Sequence, residues 1–150
     1  MTDILSKPEK LRIINKLEEQ YGISGLDFLL ILSGKDKIRG YSGSLSKEEI
    51  LELNESINIE TIGLYLFKVH EEGIRLTIDA CQILKKQIKK NIIELDKNQL
   101  EQWLKGQDLE IGDSGSGFRI LKYENDFVGC GKLSNNRLTN FVPKERRIKN

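Results

Sequence analysis

A single histidine, His70, is the first candidate for proton-transfer chemistry in this chain of 150 residues. Two carboxylates, Glu71 and Glu72, follow it directly. General acid–base catalysis needs a partner side chain within hydrogen-bond distance and a pocket for the reacting group, and the sequence indicates neither. We therefore expect a structural role for His70, and we expect that the protein is not an enzyme.

The sequence gives equally little support to metal or thiol chemistry. The chain has one histidine and two cysteines, Cys81 and Cys130, which lie 49 positions apart. These residues do not form the spaced ligand set of a zinc site. Two buried free thiols in a reducing cytoplasm are the simplest interpretation. We expect no metal, no cofactor and no membrane contact, because the longest apolar run (residues 28–32) is too short to span a bilayer.

A glycine-rich stretch, GDSGSG at residues 112–117, has the composition of a phosphate-binding loop. Such loops open a helix whose N-terminal amides hold the anion. Here an alternating apolar segment follows instead, which favours a flexible connection that leads into a strand.

Positive charge is concentrated toward the end of the chain. Residues 122–150 contain seven Lys or Arg and three acidic residues, which leaves 17 bases and 20 acids for the rest. Such an asymmetry indicates contact with a polyanion at the basic end. The candidate contacts there are Lys132, Arg137, Lys144, Arg146 and Arg147.

A second group of cations lies in a predicted helix and consists of Lys85, Lys86, Lys89 and Lys90. These residues form two pairs at i,i+4 spacing near the helix C-terminus. Compensation of the helix dipole and solubility explain them without a ligand, and phosphate contact is the alternative.

Two glycines, Gly129 and Gly131, flank Cys130 inside a predicted strand. Such a pair marks a bend of the sheet or a place where another backbone approaches closely. A barrel bend and contact with a ligand's sugar-phosphate backbone are equally open alternatives. For Trp103 the spacing to Leu100 and Leu104 favours a core position over base stacking, whereas Tyr123, Phe127 and Phe141 fit either role.

Local signals place the elements that must position these residues. Capping boxes at Ser6 and Ser46 predict two helices, and Gly22 ends the first. The pair Asn135-Asn136 predicts a two-residue hairpin. The patterns predict strands at 28–32, 39–42, 59–69, 74–78, 91–95, 118–123, 127–133 and 137–142, a helix from Asp79 through Ile88, and a helix capped by Asp96 and ended by Gly106.

Three motifs in the second half follow one another in a recognisable order: WLKGQDLE (103–110), GFRILKYENDFVGCGKL (117–133) and NFVPKERRI (140–148). They resemble the RNA-binding PUA-like domain at the C-terminal end of ribosomal-RNA 5-methylcytosine methyltransferases of the Sun/Fmu type. The resemblance extends from near Ile74 to the end, about half of the chain. The same pattern is found in small stand-alone proteins, chiefly archaeal, so we expect an archaeal source.

This resemblance implies an α+β protein, with a small N-terminal α/β domain (residues 1–73) followed by a PUA-like mixed β pseudo-barrel with one or two helices (residues 74–150). It also implies a non-catalytic protein that contacts structured rRNA or tRNA in ribosome biogenesis or RNA modification, because the chain lacks the methyltransferases' Rossmann-like domain. DNA is not an expected partner. The alternative is an adaptor whose acidic N-terminal half docks on a ribosome-assembly or RNA-modification factor.

Overall fold

Two five-stranded β-sheets form the framework of the computed structural model, which describes residues 2–42, 46–56 and 63–149. The first sheet is antiparallel throughout, and its strands neighbour one another in chain order. They are β1 (Thr2–Ile4), β2 (Leu29–Ser33), β3 (Lys37–Tyr41), β4 (Leu64–His70) and β5 (Gly73–Leu76). Two helices, α1 (Lys7–Tyr21) and α2 (Lys47–Ser56), belong to this half of the chain.

Helix α1 begins and ends where its local signals predict. The Glu9 N–H donates to Ser6 Oγ at 3.3 Å, and the Ser6 N–H donates to Glu9 Oε1 at 3.0 Å. These reciprocal bonds satisfy two amides that have no partner inside the helix. Gly22 ends the helix with φ at 84°, a conformation that is costly for residues with a Cβ. The second capping box, at Ser46, is also confirmed.

The second sheet is mixed, because β6 and β8 run parallel whereas the other neighbouring strands of the sheet pair antiparallel. Its spatial order is β6 (Ile92–Glu94), β8 (Gly117–Tyr123), β9 (Asp126–Ser134), β10 (Arg137–Thr139) and β7 (Leu109–Glu110), with helices α3 (Ile78–Ile83) and α4 (Lys97–Leu104) beside it. Both residues of the Asn135-Asn136 turn have positive φ, as the tightest hairpins require. The prediction of an α+β fold with a PUA-like pseudo-barrel is confirmed.

Helix α3 differs from its prediction at both ends. Thr77 caps it instead of Asp79, since the Ala80 N–H donates to Thr77 Oγ1 at 3.1 Å.

The helix stops at Ile83, and a 3₁₀ turn (Lys85–Gln87) follows. The Lys89 and Lys90 N–H groups then donate to the Tyr21 carbonyl, at 2.7 Å and 3.3 Å. The chain leaves the helical path because these two N–H groups cap the C-terminal end of α1. The four lysines therefore do not share a helix face at i,i+4 spacing, and that prediction is wrong.

Several strand boundaries also differ. The very short strands β1 and β7 carry too few residues for a pattern, and the strand predicted to reach Val142 ends at Thr139. The strand predicted at 59–69 is described from Leu64, and residues 57–62 lie outside the described residues. Strand β5 pairs with β4, so the first sheet extends to Leu76, beyond the boundary placed at residue 73. The division into two domains itself stays a prediction.

One hydrophobic core joins the two halves of the chain. Leu17 and Tyr21 of α1 share it with Phe118, Ile120 and Cys130 of the second sheet. The Tyr21 hydroxyl donates to the Ile74 carbonyl at 2.5 Å and lies 3.8 Å from Cys130 Sγ. A second cluster of buried side chains surrounds Trp103 inside the second sheet. The two sheets are therefore held together by a shared interior.

Candidate functional site

A cavity of about 260 Å³ lies where the two sheets meet. Its walls come from β3, β4 and β5 of the first sheet, the start of α3, strand β9 and the segment after β10. Three arginines, Arg39, Arg75 and Arg146, contribute to the lining, together with the carboxylates of Asp79 and Glu145. Three cationic groups therefore share one concave site with two anionic ones.

The three guanidinium groups have different partners. Arg39 donates from Nη1 to the Gly63 carbonyl at 3.2 Å. The guanidinium of Arg75 lies 4.2 Å from the ring centroid of Phe141, a cation–π contact. Only Arg146 is ion-paired among the three: within the part of the chain that the structure describes, no carboxylate approaches Arg39 or Arg75 within 4.0 Å.

Two nitrogens at this site lack a hydrogen-bond acceptor. Nε of Arg39 and Nε of Arg75 are both buried, and neither donates to any atom of the described residues. Buried N–H groups in folded proteins almost always have a partner. Sequence reasoning did not select either arginine, since each stands singly on a strand of the N-terminal half and no local pattern distinguishes it.

The glycine pair of β9 lies under the Trp103 side chain. A Cβ on Gly129 would lie 3.2 Å from Trp103 Nε1, and a Cβ on Gly131 would lie 2.9 Å from Cη2 of the same ring. The indole is fully buried and donates to the Val128 carbonyl at 3.0 Å. This geometry confirms Trp103 as a core residue and favours a packing role for both glycines, although Gly129 also reaches the cavity wall.

Four of the predicted basic residues form ion pairs on the surface. Lys85 lies 3.4 Å from Asp126, and Lys132 pairs with Glu72. Arg137 donates from two nitrogens to Asp108, at 3.0 Å and 2.7 Å, and Arg146 lies 3.0 Å from Asp79. The hydrogen bond from the Asn140 backbone N–H, and to a smaller extent the one from Arg137, holds the pKa of the Asp108 carboxyl below its ordinary value. The Arg137–Asp108 pair is thus part of a fixed loop structure.

The remaining cations divide into free and anchored groups. Lys86, Lys89 and Lys144 are exposed and have no ion pair with the described residues. Lys90 Nζ donates to the Glu19 carbonyl at 3.3 Å, at the end of α1. Arg147 donates to the Val142 carbonyl at 2.9 Å and is only partly exposed, so it is more a structural residue than a free one.

The basic C-terminal segment is held against α4. The Ile148 N–H donates to the Leu104 carbonyl at 2.8 Å, and the Arg147 side chain lies over Gly106, where any Cβ would collide with it. Arg146 contacts Asp79 in the first turn of α3, while Lys85 and Lys86 follow its last turn. Two predicted basic groups thus flank one short helix, about 9 Å long.

Groups that could carry other chemistry are wholly or partly buried. Burial lowers the pKa of His70, whose Nε2 is enclosed and has no partner among the described residues. Burial raises the pKa of Cys81, and that of Cys130 to about 11, so both thiols stay protonated at neutral pH. Both cysteines are free, as predicted.

Within the described ranges no three His, Cys, Asp or Glu side chains are placed to hold a metal, and no helix is long and apolar enough to cross a membrane.

The glycine-rich stretch at 112–117 leads into β8 and not into a helix, as predicted. Its Gly115 N–H donates to the Asp113 carboxylate at 2.8 Å. The amide is thus used within the stretch, so the arrangement gives no reason to assign it a phosphate.

The mixed second sheet with its two helices has the architecture that the PUA-like resemblance implies. In particular, residues 90–148 match the family described as the PUA domain of methyltransferase RsmF. The resemblance inferred from the three motifs is confirmed. What matches is the PUA domain of that methyltransferase and not its catalytic domain, and a PUA domain supports RNA binding.

Similar proteins carry the name ribosomal RNA small subunit methyltransferase F. The chain is 30% identical over 102 residues to the protein of Vibrio cholerae serotype O1 (strain M66-2), which covers 67% of this chain and 22% of that protein. It is 32% identical over 84 residues to the protein of Aliivibrio fischeri (strain ATCC 700601 / ES114), or 56% and 18% of the two chains. The chain thus spans about a fifth of these relatives. Both organisms are bacteria, so these similarities do not support the expected archaeal source.

Proposed function

We propose that this protein binds structured ribosomal RNA through its PUA-like half and has no catalytic activity of its own. The match of residues 90–148 to the PUA domain of methyltransferase RsmF carries this proposal. The relatives are named for the RNA of the small ribosomal subunit, which favours ribosomal over transfer RNA. Partner proteins of ribosome assembly or RNA modification remain compatible with this role.

The cations on either side of α3 are the proposed contacts with the phosphate backbone. Lys86 and Lys144 are exposed and have no ion pair with the described residues. Lys85 and Arg146 have exposed carboxylate partners, and such surface pairs contribute only about 0–1 kcal/mol. A phosphate can therefore replace those carboxylates at little cost. Lys89, beyond the 3₁₀ turn, extends the same basic surface.

The other predicted residues have a weaker claim to direct contact. Lys132 and Arg137 are engaged by carboxylates, and Arg137 is fixed on both of its donating nitrogens. Lys90 and Arg147 donate to backbone carbonyls. Gly129 and Gly131 are covered by the indole of Trp103. We propose supporting roles for this group.

Binding to a labelled fragment of small-subunit ribosomal RNA, measured by fluorescence polarisation over a range of salt concentrations, tests the proposal. The affinity should fall steeply with salt, because each phosphate contact contributes about 0.7–0.9 to the slope of log K against log salt. The triple variant Lys85→Gln, Lys86→Gln, Arg146→Gln should lower both the affinity and that slope.

A matched triple variant on the N-terminal helices, Lys7→Gln, Lys16→Gln, Lys47→Gln, removes the same charge from exposed positions and serves as the control. It should bind nearly as well as the wild type. The absence of salt-dependent binding at micromolar protein contradicts the proposal. A partner protein that stays bound after nuclease treatment, in the absence of RNA binding, would favour the adaptor role instead.

A further inference from the structure

We infer that the cavity between the two sheets receives one nucleotide of the bound RNA, with its phosphate on Arg39 and Arg75 and its base against the apolar part of the wall. This inference rests on the proposed RNA binding and adds to it a specific site that includes the N-terminal half. It concerns a single unstacked nucleotide, because the cavity cannot admit a duplex.

The size of the cavity sets the class of ligand. Small-molecule sites usually enclose about 300–1,000 Å³, and this one, at about 260 Å³, is near the lower limit. One mononucleotide unit is of this order of size, whereas an RNA helix or a run of nucleotides is not. The accessible apolar part of the wall includes Leu64 and the partly exposed Phe141, and such surfaces suit the flat face of a base.

The charge and the unused donors indicate a phosphate. A guanidinium group presents several N–H donors in a plane that matches phosphate oxygens. Arg39 and Arg75 each have a buried Nε without an acceptor among the described residues. The two carboxylates of the lining do not neutralise them, since Asp79 is already paired with Arg146 and no carboxylate of the described residues lies within 4.0 Å of either arginine. Because those two Nε atoms are enclosed, a phosphate in the cavity would accept hydrogen bonds from the outer guanidinium nitrogens of these partly exposed arginines.

The position of the cavity connects it with the proposed RNA surface. Asp79, in the first turn of α3, and its ion-pair partner Arg146, from the C-terminal segment, both line the cavity, and the proposed contacts flank this helix. Leu64, which is 44% exposed, also lines the cavity and lies at its opening to solvent. An RNA strand that follows the basic residues along α3 therefore passes the opening of the cavity. Sequence-specific RNA recognition commonly uses nucleotides that are turned out of the base stack.

Removal of the two cavity arginines tests the inference. Arg39→Gln with Arg75→Gln should weaken binding to the ribosomal-RNA fragment by about tenfold or more, and should lower the salt slope by about one phosphate contact. The control, Arg12→Gln with Lys16→Gln, removes the same charge from exposed positions of α1 and should bind as the wild type does. Arg39→Lys, which keeps the charge, should recover part of the lost affinity.

A second variant keeps the test decisive if the loss of Arg75 disturbs folding. Leu64→Glu places a carboxylate at the exposed opening without removing any core side chain, and it should weaken RNA binding to a similar degree. Wild-type affinity and slope in both Arg39→Gln and Leu64→Glu, while Lys85→Gln still weakens binding, would overturn the inference and leave the proposed function intact. If the wild type does not bind RNA, the proposed function itself fails.

The single tryptophan is a probe of occupancy, because Trp103, although fully buried, is part of the cavity wall. Uridine 5′-monophosphate should change its fluorescence in a saturable way, and Arg39→Gln should weaken that response. Inorganic phosphate should compete with the nucleotide, and uridine alone should bind less well. If phosphate gives the same response as the nucleotide at equal concentration, the cavity is a simple anion site and the inferred base contact is wrong.

Discussion

Gly131 lies directly against the indole of Trp103, with no room for a side chain between them. A Cβ at this position would lie 2.9 Å from Trp103 Cη2, and equally close to the backbone oxygen of Thr139 on the neighbouring strand β10. The indole cannot withdraw, since it is fully buried and held by its bond to the Val128 carbonyl. Glycine is thus a packing requirement of the second sheet.

Substitution of this glycine should therefore destabilise the protein. Gly131→Ala should lower the free energy of unfolding by about 1–3 kcal/mol, the usual cost of an overpacked interior. Gly112→Ala is the control, because nothing lies within 4 Å of its Cβ position. Urea unfolding measures both. A stable Gly131→Ala variant with weakened RNA binding would instead restore the ligand-contact interpretation of this strand.

The stability of the protein should decrease as the pH falls below about 6.5. Burial lowers the pKa of His70 beneath its ordinary value of 6.5, so the unfolded chain takes up a proton at a pH where the folded protein does not. The part of the stability that depends on a neutral His70 is fully present above about pH 6.5, and it is lost as the pH falls through the pKa of the folded state. His70→Gln should remove this dependence between about pH 7.5 and about pH 5.5.

Thermal unfolding of both proteins across this pH range checks the prediction. Glu72, two residues away, does not interfere, because the hydrogen bond from Lys132 lowers the pKa of its carboxyl below the ordinary 4.5. Parallel stability curves for wild type and His70→Gln would show that another group titrates.

Asn91 joins the two halves of the chain and should be sensitive to substitution. Its Nδ2 donates to the Gln20 carbonyl at 2.6 Å, at the end of α1, and its φ is 57°. Asn91→Ala loses the bond and strains the backbone, for a combined cost of about 2 kcal/mol, whereas Asn91→Gly loses only the bond, or about 1 kcal/mol. Equal losses in the two variants would mean that backbone conformation plays no part.

Because the core is shared, the two halves should unfold in a single transition. Trp103 fluorescence reports on the second sheet, and far-UV circular dichroism reports on the whole chain. Coincident urea curves from the two probes are expected for wild type and Asn91→Ala alike. Separate midpoints would indicate two independently folding domains divided near residue 73.

The two neighbouring arginines of the C-terminal segment should behave differently. Arg146→Ala removes an exposed cation beside α3 and should weaken RNA binding with an effect on stability of less than about 1 kcal/mol. Arg147→Ala removes a side chain that covers Gly106 and donates to Val142, and it should lower the free energy of unfolding by about 1 kcal/mol or more. The reverse pattern would place Arg147 at the RNA and Arg146 in the structure.

Features that depend on neighbours in the chain could be predicted from the sequence. Ser6 and Glu9 predict the start of α1, and Asn135-Asn136 predicts the hairpin, because the bonds that fix each one form within a few residues. The motif order of the second half predicted the PUA-like domain, and the buried position of Trp103 followed from helical spacing. The fold class and the family resemblance needed no tertiary information.

Features that depend on distant contacts could not be predicted. Lys89 and Lys90 lie outside their expected helix because the Tyr21 carbonyl, more than sixty residues earlier, accepts hydrogen bonds from their N–H groups. Arg39, Arg75 and Arg146 come from separate parts of the chain and meet only across the cavity. By itself the sequence determined the elements and the class of domain; the tertiary structure decided which charges are free and where they meet, because strand pairing and core packing set those distances.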